Sequence, residues 1–394
     1  MESEGRQSVH RNRFRAIFNG VERLDRATQP TGAQTCRDTA AHQRPRPNCL
    51  GESTPDHLGH NGGCVKILIV KLSSLGDVVH SMPAVQDIRA ALPGATIDWV
   101  VERGFAPLVE RCEGVRRAIP CDIRRWRKSV LSSQTRAEWR AFRTDLQRER
   151  YDAVIDLHGL SKSALVSRVA RLTAGGRRYA LANRTEGSGY EAPTRWVADV
   201  AIRIEPRVHA VVRSRELCAK ALGYAIPSGL RYGLHPFQLE APQRCVVLAH
   251  GSSRDDKCWP HDHWVELGRR LVAQGYRLAL PHGSDEEQRR SEQLAIALGD
   301  AAQVWPRLDL GALTDRVAAT AGVIGVDSGI SHVAVALGLP HVQIYNFDTA
   351  WRTGPLSAAD APRGPAPRQL AVFAQPTPGV DTVWDAWCRV EGAR

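Results

Sequence analysis

Several motifs that would assign a function directly are missing from the sequence. Its nine cysteines form no C-x-x-C pair and no zinc-type Cys/His spacing, which favours reduced thiols in a cytoplasmic protein. No D-x-D motif is present to hold a nucleotide-bound divalent ion, and no G-x-G-x-x-G marks a dinucleotide loop. No apolar run is long enough to predict a membrane-spanning helix. The sequence therefore predicts neither a metal site nor a cofactor.

Aromatic residues are also scarce, at 6% of the chain, and few lie among the basic residues, which argues against nucleic acid as the partner. Charge, in contrast, is abundant. The net charge of +11 favours an acidic partner such as an anionic membrane surface or a phosphorylated substrate. With 394 residues, 43% of them hydrophobic, the chain is long enough for two domains with a core each.

Residues 1–64 differ in composition from the rest of the chain. They are rich in Arg, Asn, Gly, Pro and Thr and show neither helical nor strand periodicity. Acidic residues argue against a transit peptide, and no apolar signal core is present. We interpret the segment either as disordered or as an extension that is not normally translated, with Val65 as the natural start.

From Val65 onward, strand patterns alternate with helical patterns, which predicts an α/β fold with parallel sheets covered by helices. The Pro- and Gly-containing residues 227–242 divide this pattern, so we predict domains at 65–235 and 245–356 joined by a linker at 236–244. Residues 357–394 are expected to form a tail that packs back on the first domain. Strands are predicted at 66–70, 96–101, 152–157, 245–249, 277–280, 322–326 and 341–345, and helices at 138–150 and 161–171.

The stretch VKILIVKLSSLGDVVHSMP, residues 65–83, predicts an anion-binding loop. A β-branched strand leads into a polar loop that includes Ser73, Ser74 and Gly76, and an amphipathic helix follows. Such a connection directs backbone N–H groups to one point. Asp77 is unexpected there, because a carboxylate repels a phosphate. Its position is equally consistent with a helix cap and with a catalytic base.

Two further polar loops follow predicted strands of the second half. Residues 250–257 supply two hydroxyls and a cation suited to phosphate, from Ser252, Ser253 and Lys257. Residues 327–332 place Asp327, Ser328 and Gly329 at a helix N-terminus that could hold a diphosphate, although an ordinary capped turn is the commoner explanation of that loop alone. Carboxyl ends of parallel strands meet at one edge, so we expect these loops and residues 71–77 to face each other across a cleft.

Three other features leave alternatives open. Glu287 could accept hydrogen bonds from a ribose or lie solvated on its helix, and His332 could bond within its own helix. The run IRRWRK, residues 123–128, with Arg116 and Arg117 upstream, is most often a solvated face. Its embedded Trp126 and the basic net charge make it a candidate anion site.

Five segments stand out in order along the chain: KLSSLGDVVHSMPA, IRRWRK, YDAVIDLHGLSKSA, HGSSRDDKCWP and VDSGISH. Together they resemble the lipopolysaccharide heptosyltransferases. These are glycosyltransferases of the GT-B fold, with two Rossmann-like domains facing across a cleft. The resemblance covers residues 65 to about 356, and the first loop and the RDDK loop are closer to type I than to type II. It implies inverting, metal-independent transfer of heptose from ADP-heptose to the inner Kdo of Kdo-lipid A. Because the sequence has no spanning segment and the implied acceptor is a lipid, we expect a monomer that associates peripherally with the cytoplasmic face of the inner membrane, helped by its positive charge.

The resemblance assigns roles to most of the residues above. It makes Asp77 the base that deprotonates the Kdo hydroxyl, with Lys257 as the cation that meets the departing diphosphate. Glu287 would bind the ribose and Leu308 would pack on the adenine. The implied donor contacts are Ser252, Ser253, Lys257, Glu287, Leu308, Asp327, Ser328, Gly329 and His332. The implied acceptor contacts are Ser73, Ser74, Gly76, Arg124, Arg125, Arg127 and Lys128.

The sequence also departs from the family pattern. Serines occupy positions 252 and 253, where threonines are common. Asn346-Phe347 replaces part of the usual YGPTD, so the resemblance does not predict the geometry at the rim of the donor pocket. Alternatives are a heptosyltransferase of type II or III with a later core acceptor, and a non-catalytic nucleotide- or anion-binding protein. A nicotinamide dehydrogenase with Glu102 as ribose ligand is opposed by the single Gly76 in the first loop.

Overall fold

The computed structural model describes residues 64–238, 241, 243–356 and 368–392. The hypotheses for residues 1–63, for the linker positions 239, 240 and 242, and for residues 357–367 lie outside the described residues. None of the described helices combines the length and the hydrophobicity needed to cross a membrane.

Twelve strands are described, six in each half of the chain. The first six are β1 Lys66–Val70, β2 Thr96–Glu102, β3 Val115–Cys121, β4 Arg150–Asp156, β5 Arg171–Leu181 and β6 Val200–Ile202. The second six are β7 Cys245–Ala249, β8 Arg277–Leu280, β9 Ala302–Val304, β10 Gly322–Val326, β11 His341–Tyr345 and β12 Gln369–Phe373.

Fourteen described α-helices connect these strands. Eight lie in the first half: α1 Leu75–Val79, α2 Met82–Ala91, α3 Ala106–Val109, α4 Ile123–Trp126, α5 Ser133–Leu146, α6 Ser161–Val169, α7 Pro193–Val197 and α8 Ala210–Leu222. Six follow in the second half: α9 His261–Ala273, α10 Asp285–Leu298, α11 Leu310–Ala318, α12 Gly329–Ala336, α13 Ala350–Thr353 and α14 Val380–Glu391.

Both sheets are parallel and have the same strand order. The first runs β3-β2-β1-β4-β5-β6 and the second β12-β11-β10-β7-β8-β9, which is that order again when strands are counted within each half. The central strands are apolar and buried, as sheets covered on both faces require. This confirms two Rossmann-like α/β halves. In such sheets ligands bind where the strand order reverses, which is between β1 and β4 and between β7 and β10.

The two halves contact each other through α1 and α12. Val333 and Val335 of α12 belong to the hydrophobic core of the first half, although α12 follows a strand of the second sheet. A buried ion pair also joins the halves, because Arg111 donates to both oxygens of Asp315 at 3.0 and 2.6 Å. The carboxyl edges of β1 and β10 are thereby held against one another.

The carboxyl-terminal segment differs from expectation. Residues 368–392 pack on the second half and not on the first, because β12 extends the second sheet beside β11 and α14 buries Val383 and Trp387 in the second core. A short return to the first half does occur earlier in the chain. At the end of α13, the carbonyl of Gly354 lies 3.0 Å from His209 Nε2 on the first half.

Candidate active site between the two sheets

Asp77 lies in the first turn of α1, at the carboxyl end of β1. Ser74, and not Asp77, is the N-cap of this helix. The amide and the hydroxyl of Ser74 both donate to Asp77 Oδ2, at 3.3 and 3.0 Å. The carboxylate is 37% exposed, so it is fixed by its own loop and still reaches solvent. Ser73, in contrast, is buried and accepts a hydrogen bond from Lys162 Nζ at 3.2 Å.

Two buried cations contact the other oxygen of this carboxylate. Lys71 Nζ lies 3.3 Å and Arg213 Nη2 lies 3.4 Å from Asp77 Oδ1. Lys71 is held in place by the carbonyl of Leu157, and Arg213 also donates to Thr185 Oγ1. Partial burial disfavours the charged carboxylate, but Lys71, Arg213 and the nearby His80 together hold the pKa of Asp77 well below its ordinary value. Asp77 is therefore fully ionised at neutral pH.

Neither cation was assigned to the site from the sequence. Lys71 stands in the KLSSLGD loop, but the pattern does not show that its charge is directed at Asp77. Arg213 comes from α8, more than 130 positions further along the chain, and no motif marks it. Only the fold brings it to Asp77.

The basic segment, defined here as residues 122–143, begins directly after β3, two strands along the first sheet from β1. Arg125 pairs with Glu138 and Asp122, so its charge is largely neutralised. Among the described residues, no ion pair partner is found for Arg124, Arg127 or Lys128, and all three are exposed. Arg116 and Arg117 are not part of this exposed group of cations. They are bound to the buried Asp98 at 2.7 and 3.2 Å.

On the second half, Lys257 pairs with Asp327. Lys257 Nζ donates to Asp327 Oδ2 at 2.6 Å, and His332 Nε2 and Gln343 Nε2 approach Oδ1 at 3.4 and 3.5 Å. Burial raises the pKa of Asp327, but His332 and Lys257 more than reverse this and hold the pKa well below its usual range. The carboxylate of Asp327 thus orients Lys257.

The hydroxyls and amides expected at the diphosphate lie around this ion pair. Ser252 Oγ donates to the carbonyl of Asp327 at 3.3 Å, which joins the 250–257 loop to the 327–332 loop. Ser328 is the N-cap of α12, and its hydroxyl lies 3.4 Å from Ser331 Oγ. Ser253 is exposed one position beyond Ser252. These groups converge at the carboxyl ends of β7 and β10, where the strand order reverses.

Glu287 and Leu308 also lie in the second half of the chain. Glu287 accepts a hydrogen bond from the amide of Gly283 at 2.7 Å and lies against Gly251, where an added Cβ would come within 2.7 Å of its carboxyl carbon. The carboxylate is thus beside the 250–257 loop. Leu308 is half-buried against the apolar cluster that contains Trp305 and Leu313.

Asn346 and Phe347 both contact the loop that carries Lys257. The side-chain amide of Asn346 donates to the carbonyls of Asp256 and Cys258, both at 3.0 Å, and its oxygen accepts from Thr377 at 2.7 Å. Arg254 lies over the ring of Phe347. The departure from the family pattern therefore supplies a bond that fixes the turn carrying Lys257.

The two loops meet at a pair of glycines. A Cβ on Gly76 would lie 2.5 Å from His332 Cδ2, and a Cβ on Gly329 would lie 2.3 Å from Leu75 Cδ2. Asp77 and the 327–332 loop are consequently next to one another. A proton acceptor on one half and amide and hydroxyl donors on the other can act on two ends of one reaction. The described side chains form no cluster of three or more His, Cys, Asp or Glu suited to a metal ion.

Known proteins match both the sequence and the fold. The model of glycosyltransferase family 9 (heptosyltransferase) matches residues 139–364. Lipopolysaccharide heptosyltransferase 1 of Escherichia coli strain K12 is 40% identical over 288 residues, which cover 71% of this chain and 88% of that protein. The protein of the same name from Pseudomonas aeruginosa is 37% identical over 331 residues, covering 79% and 89%.

A solved structure, E. coli heptosyltransferase WaaC with ADP, superposes with a TM-score of 0.72 at 34% identity and covers 84% of this chain and 100% of that one. Sequence and fold thus both match over most of the chain. The chain belongs to glycosyltransferase family 9, the heptosyltransferases, and is a glycosyltransferase of the GT-B fold.

Proposed function

We propose that this chain transfers L-glycero-D-manno-heptose from ADP-heptose to the inner Kdo of Kdo-lipid A, with inversion and without a metal, in the synthesis of the lipopolysaccharide core. The names of the two relatives above, both type 1 enzymes, support this acceptor. A second E. coli structure, of WaaC with ADP-2-deoxy-2-fluoro heptose, supports the donor. Transfer to a later core acceptor, as by a type II or III enzyme, is the alternative.

The contact between the two loops supports the following chemistry. Asp77 removes the proton of the acceptor hydroxyl as its oxygen attacks the anomeric carbon of the heptose. The bond to the diphosphate breaks on the opposite face of that carbon, so the configuration inverts. General-base assistance of this kind contributes about 10²–10⁴-fold. The single observation that carries the proposal is the position of ionised Asp77 beside the 327–332 loop.

Lys71 and Arg213 make Asp77 a weak base that is always available. Their positive charges lower its proton affinity but keep all of it ionised at neutral pH. After transfer, the same charges expel the proton from Asp77 to water, which returns the base to its starting state.

The departing ADP would be held by Lys257, the Ser252 and Ser328 hydroxyls and the amides at the start of α12. Lys257 is already oriented by Asp327, so little side-chain freedom is lost when the diphosphate binds. Glu287 would bind the ribose and Leu308 would contact the adenine. On the other half, Arg124, Arg127 and Lys128 would meet the phosphates and carboxylates of the acceptor, with Ser73, Ser74 and Gly76 near the reacting hydroxyl.

The decisive experiment measures ADP release from ADP-heptose with and without Kdo-lipid A. We expect release that depends on the acceptor, and an Asp77→Asn enzyme whose kcat falls about 10²-fold or more while calorimetry finds unchanged ADP-heptose affinity. An Asp77→Asn enzyme within a few-fold of the unaltered protein would remove the base assignment. Release only with an acceptor that already carries heptose would favour the type II alternative, and binding of ADP with no transfer would favour a non-catalytic protein.

A further inference from the structure

Two apolar side chains occupy the corners of an exposed turn in the basic segment. The amide of Ser132 donates to the carbonyl of Ser129 at 3.0 Å, which closes a four-residue turn with Val130 and Leu131 at its two central positions. Val130 is 48% and Leu131 is 86% exposed. Gly, Pro, Asn, Asp and Ser dominate such positions, so two aliphatic residues there are unusual in a turn that faces water.

The surroundings of this turn are strongly basic. Residues 122–143 contain seven Lys or Arg and two acidic residues, a net charge of +5. Asp122 and Glu138 are both bound to Arg125. Within the described part of the chain, no ion pair is found for the exposed Arg127, Lys128, Arg136 and Arg140, which lie on both sides of the turn.

The turn is anchored firmly to the first sheet. Ser129, the first residue of the turn, is joined to Thr135 of α5 through their hydroxyls, 2.9 Å apart. Beneath it, the rings of Trp126, Trp139 and Phe142 pack on one another, with centroids 5.6–5.8 Å apart, and continue into the apolar cluster over β1, β2 and β3. Val130 and Leu131 are therefore presented on a rigid support, and they do not fold back into the core.

The segment also lies beside the candidate acceptor site. The amide of Arg124 donates to Glu102 Oε1 at 3.2 Å at the end of β2, the strand next to β1. All six strands of this sheet are parallel, so the turn that follows β3 lies at the same edge as Asp77.

We propose that the Ser129–Ser132 turn docks this protein onto an anionic lipid bilayer, with Val130 and Leu131 entering the interface and the basic residues beside them binding lipid phosphates. The proposal rests on the proposed function only in expecting the acceptor to lie in that bilayer. The positive charge of the segment favours an anionic bilayer over a second copy of this chain and over residues 1–63. A second copy packed on the same face would bring two segments of net charge +5 together, and residues 1–63, with nine Arg and seven acidic residues, are themselves of net charge +2.

The test is co-sedimentation of the full chain with vesicles of phosphatidylcholine, with and without phosphatidylglycerol and with no acceptor present. We expect binding to anionic vesicles that weakens with salt but leaves a salt-resistant fraction. The double variant Val130→Ser/Leu131→Ser should lose that fraction, with the partition coefficient at high salt falling about ten-fold or more. Arg136→Gln/Arg140→Gln should instead weaken binding at low salt and flatten the salt dependence.

The matched control is Ile296→Ser, since Ile296 is 83% exposed on α10 of the second half, away from this edge. It should bind vesicles as the unaltered protein does. Equal binding of the turn variant and the unaltered chain at high salt would overturn the proposal, and so would an equal loss in Ile296→Ser. ADP release on an acceptor stripped of its fatty acids should be unchanged in the turn variant. If no acceptor supports release while the vesicle results hold, the proposed reaction fails and the docking surface stands.

Discussion

At the scale of single residues, the most informative contact is that of Lys71 and Arg213 with Asp77, which the sequence does not reveal. Asp77, Lys257 and Glu287 could be proposed from the sequence because each stands in, or in the first helical turn after, a polar loop that follows a strand. Lys71 and Arg213 could not, because the direction of a buried charge depends on packing between segments far apart in the chain. The ion pair of Lys257 with Asp327 is not evident from the sequence for the same reason, since the two residues lie 70 positions apart.

The two cations beside Asp77 predict how kcat depends on pH. In Lys71→Met one of two cations on Oδ1 is lost, so the pKa of Asp77 should rise toward the ordinary carboxyl value. Since only ionised Asp77 accepts a proton, the acid limb of kcat should move to higher pH by at least about one unit. Full pH profiles at saturating donor and acceptor measure this. Lys71→Arg keeps the charge and should keep the limb in place. A Lys71→Met profile that is uniformly lower but unshifted would mean that Lys71 is only structural.

Lys257 should combine a binding role with a structural one. Lys257→Ala should weaken ADP-heptose binding and lower kcat together, each by about ten-fold or more, because its charge meets the diphosphate before and during departure. It should also lower the melting temperature, since the buried Asp327 carboxylate loses its cation. Adding Asp327→Asn should recover melting temperature but not donor affinity. Recovery of both would show that Lys257 acts only by neutralising Asp327.

At the scale of secondary structure, uninterrupted apolar strands were predictable and charged or terminal ones were not. β1, β7, β8, β10 and β11 have the bounds that the sequence predicted. β3 was missed because Arg116 and Arg117 interrupt its pattern, and their charges are offset by Asp98 on the neighbouring strand. β12 was missed because it lies in a Pro-rich stretch, where local composition outweighs the pairing with β11 that forms it. The helix predicted at 138–150 begins earlier, at Ser133, and ends at Leu146.

The contact between α1 and α12 depends on glycine at its closest point. In Gly76→Ala the added Cβ would overlap His332, so the two helices must separate or His332 must turn away. Because a shift of about 1 Å at a reacting centre can cost up to 10²-fold, we expect kcat to fall about ten-fold or more. Gly104→Ala is the control, since nothing lies within 4 Å of the added Cβ. Similar turnover in both variants would show that the helices can separate without loss of function.

At the scale of the whole molecule, stability should fall in mild acid. His209, His250 and His341 are buried, and burial lowers the pKa of each to about 4. In the unfolded chain a histidine has a pKa of about 6.5. The unfolded state therefore binds more protons below that pH, and stability present above about pH 6.5 is lost progressively as the pH falls toward 4.

The loss is about 1–2 kcal/mol per buried histidine at pH 5. Thermal unfolding at pH 7, 6 and 5 should follow it, with His341→Gln reducing the slope of melting temperature against pH. His235→Gln, at an exposed histidine, is the control. A slope that is the same in all three proteins would assign the acid sensitivity to other groups.

The hydrogen bond that Thr377 donates to Asn346 bears on when, during synthesis, the turn of Lys257 is completed. The turn that carries Lys257 is held through Asn346 by a segment that also contributes β12 and α14. Synthesis runs from the amino to the carboxyl end, so about 120 residues separate the translation of Lys257 from that of its support. A chain still on the ribosome could already hold the loop of Asp77 in place, but the turn of Lys257 would lack the support that Thr377 gives through Asn346. Competence to take up the donor would therefore be gained late, in one step, when the residues after Pro376 emerge.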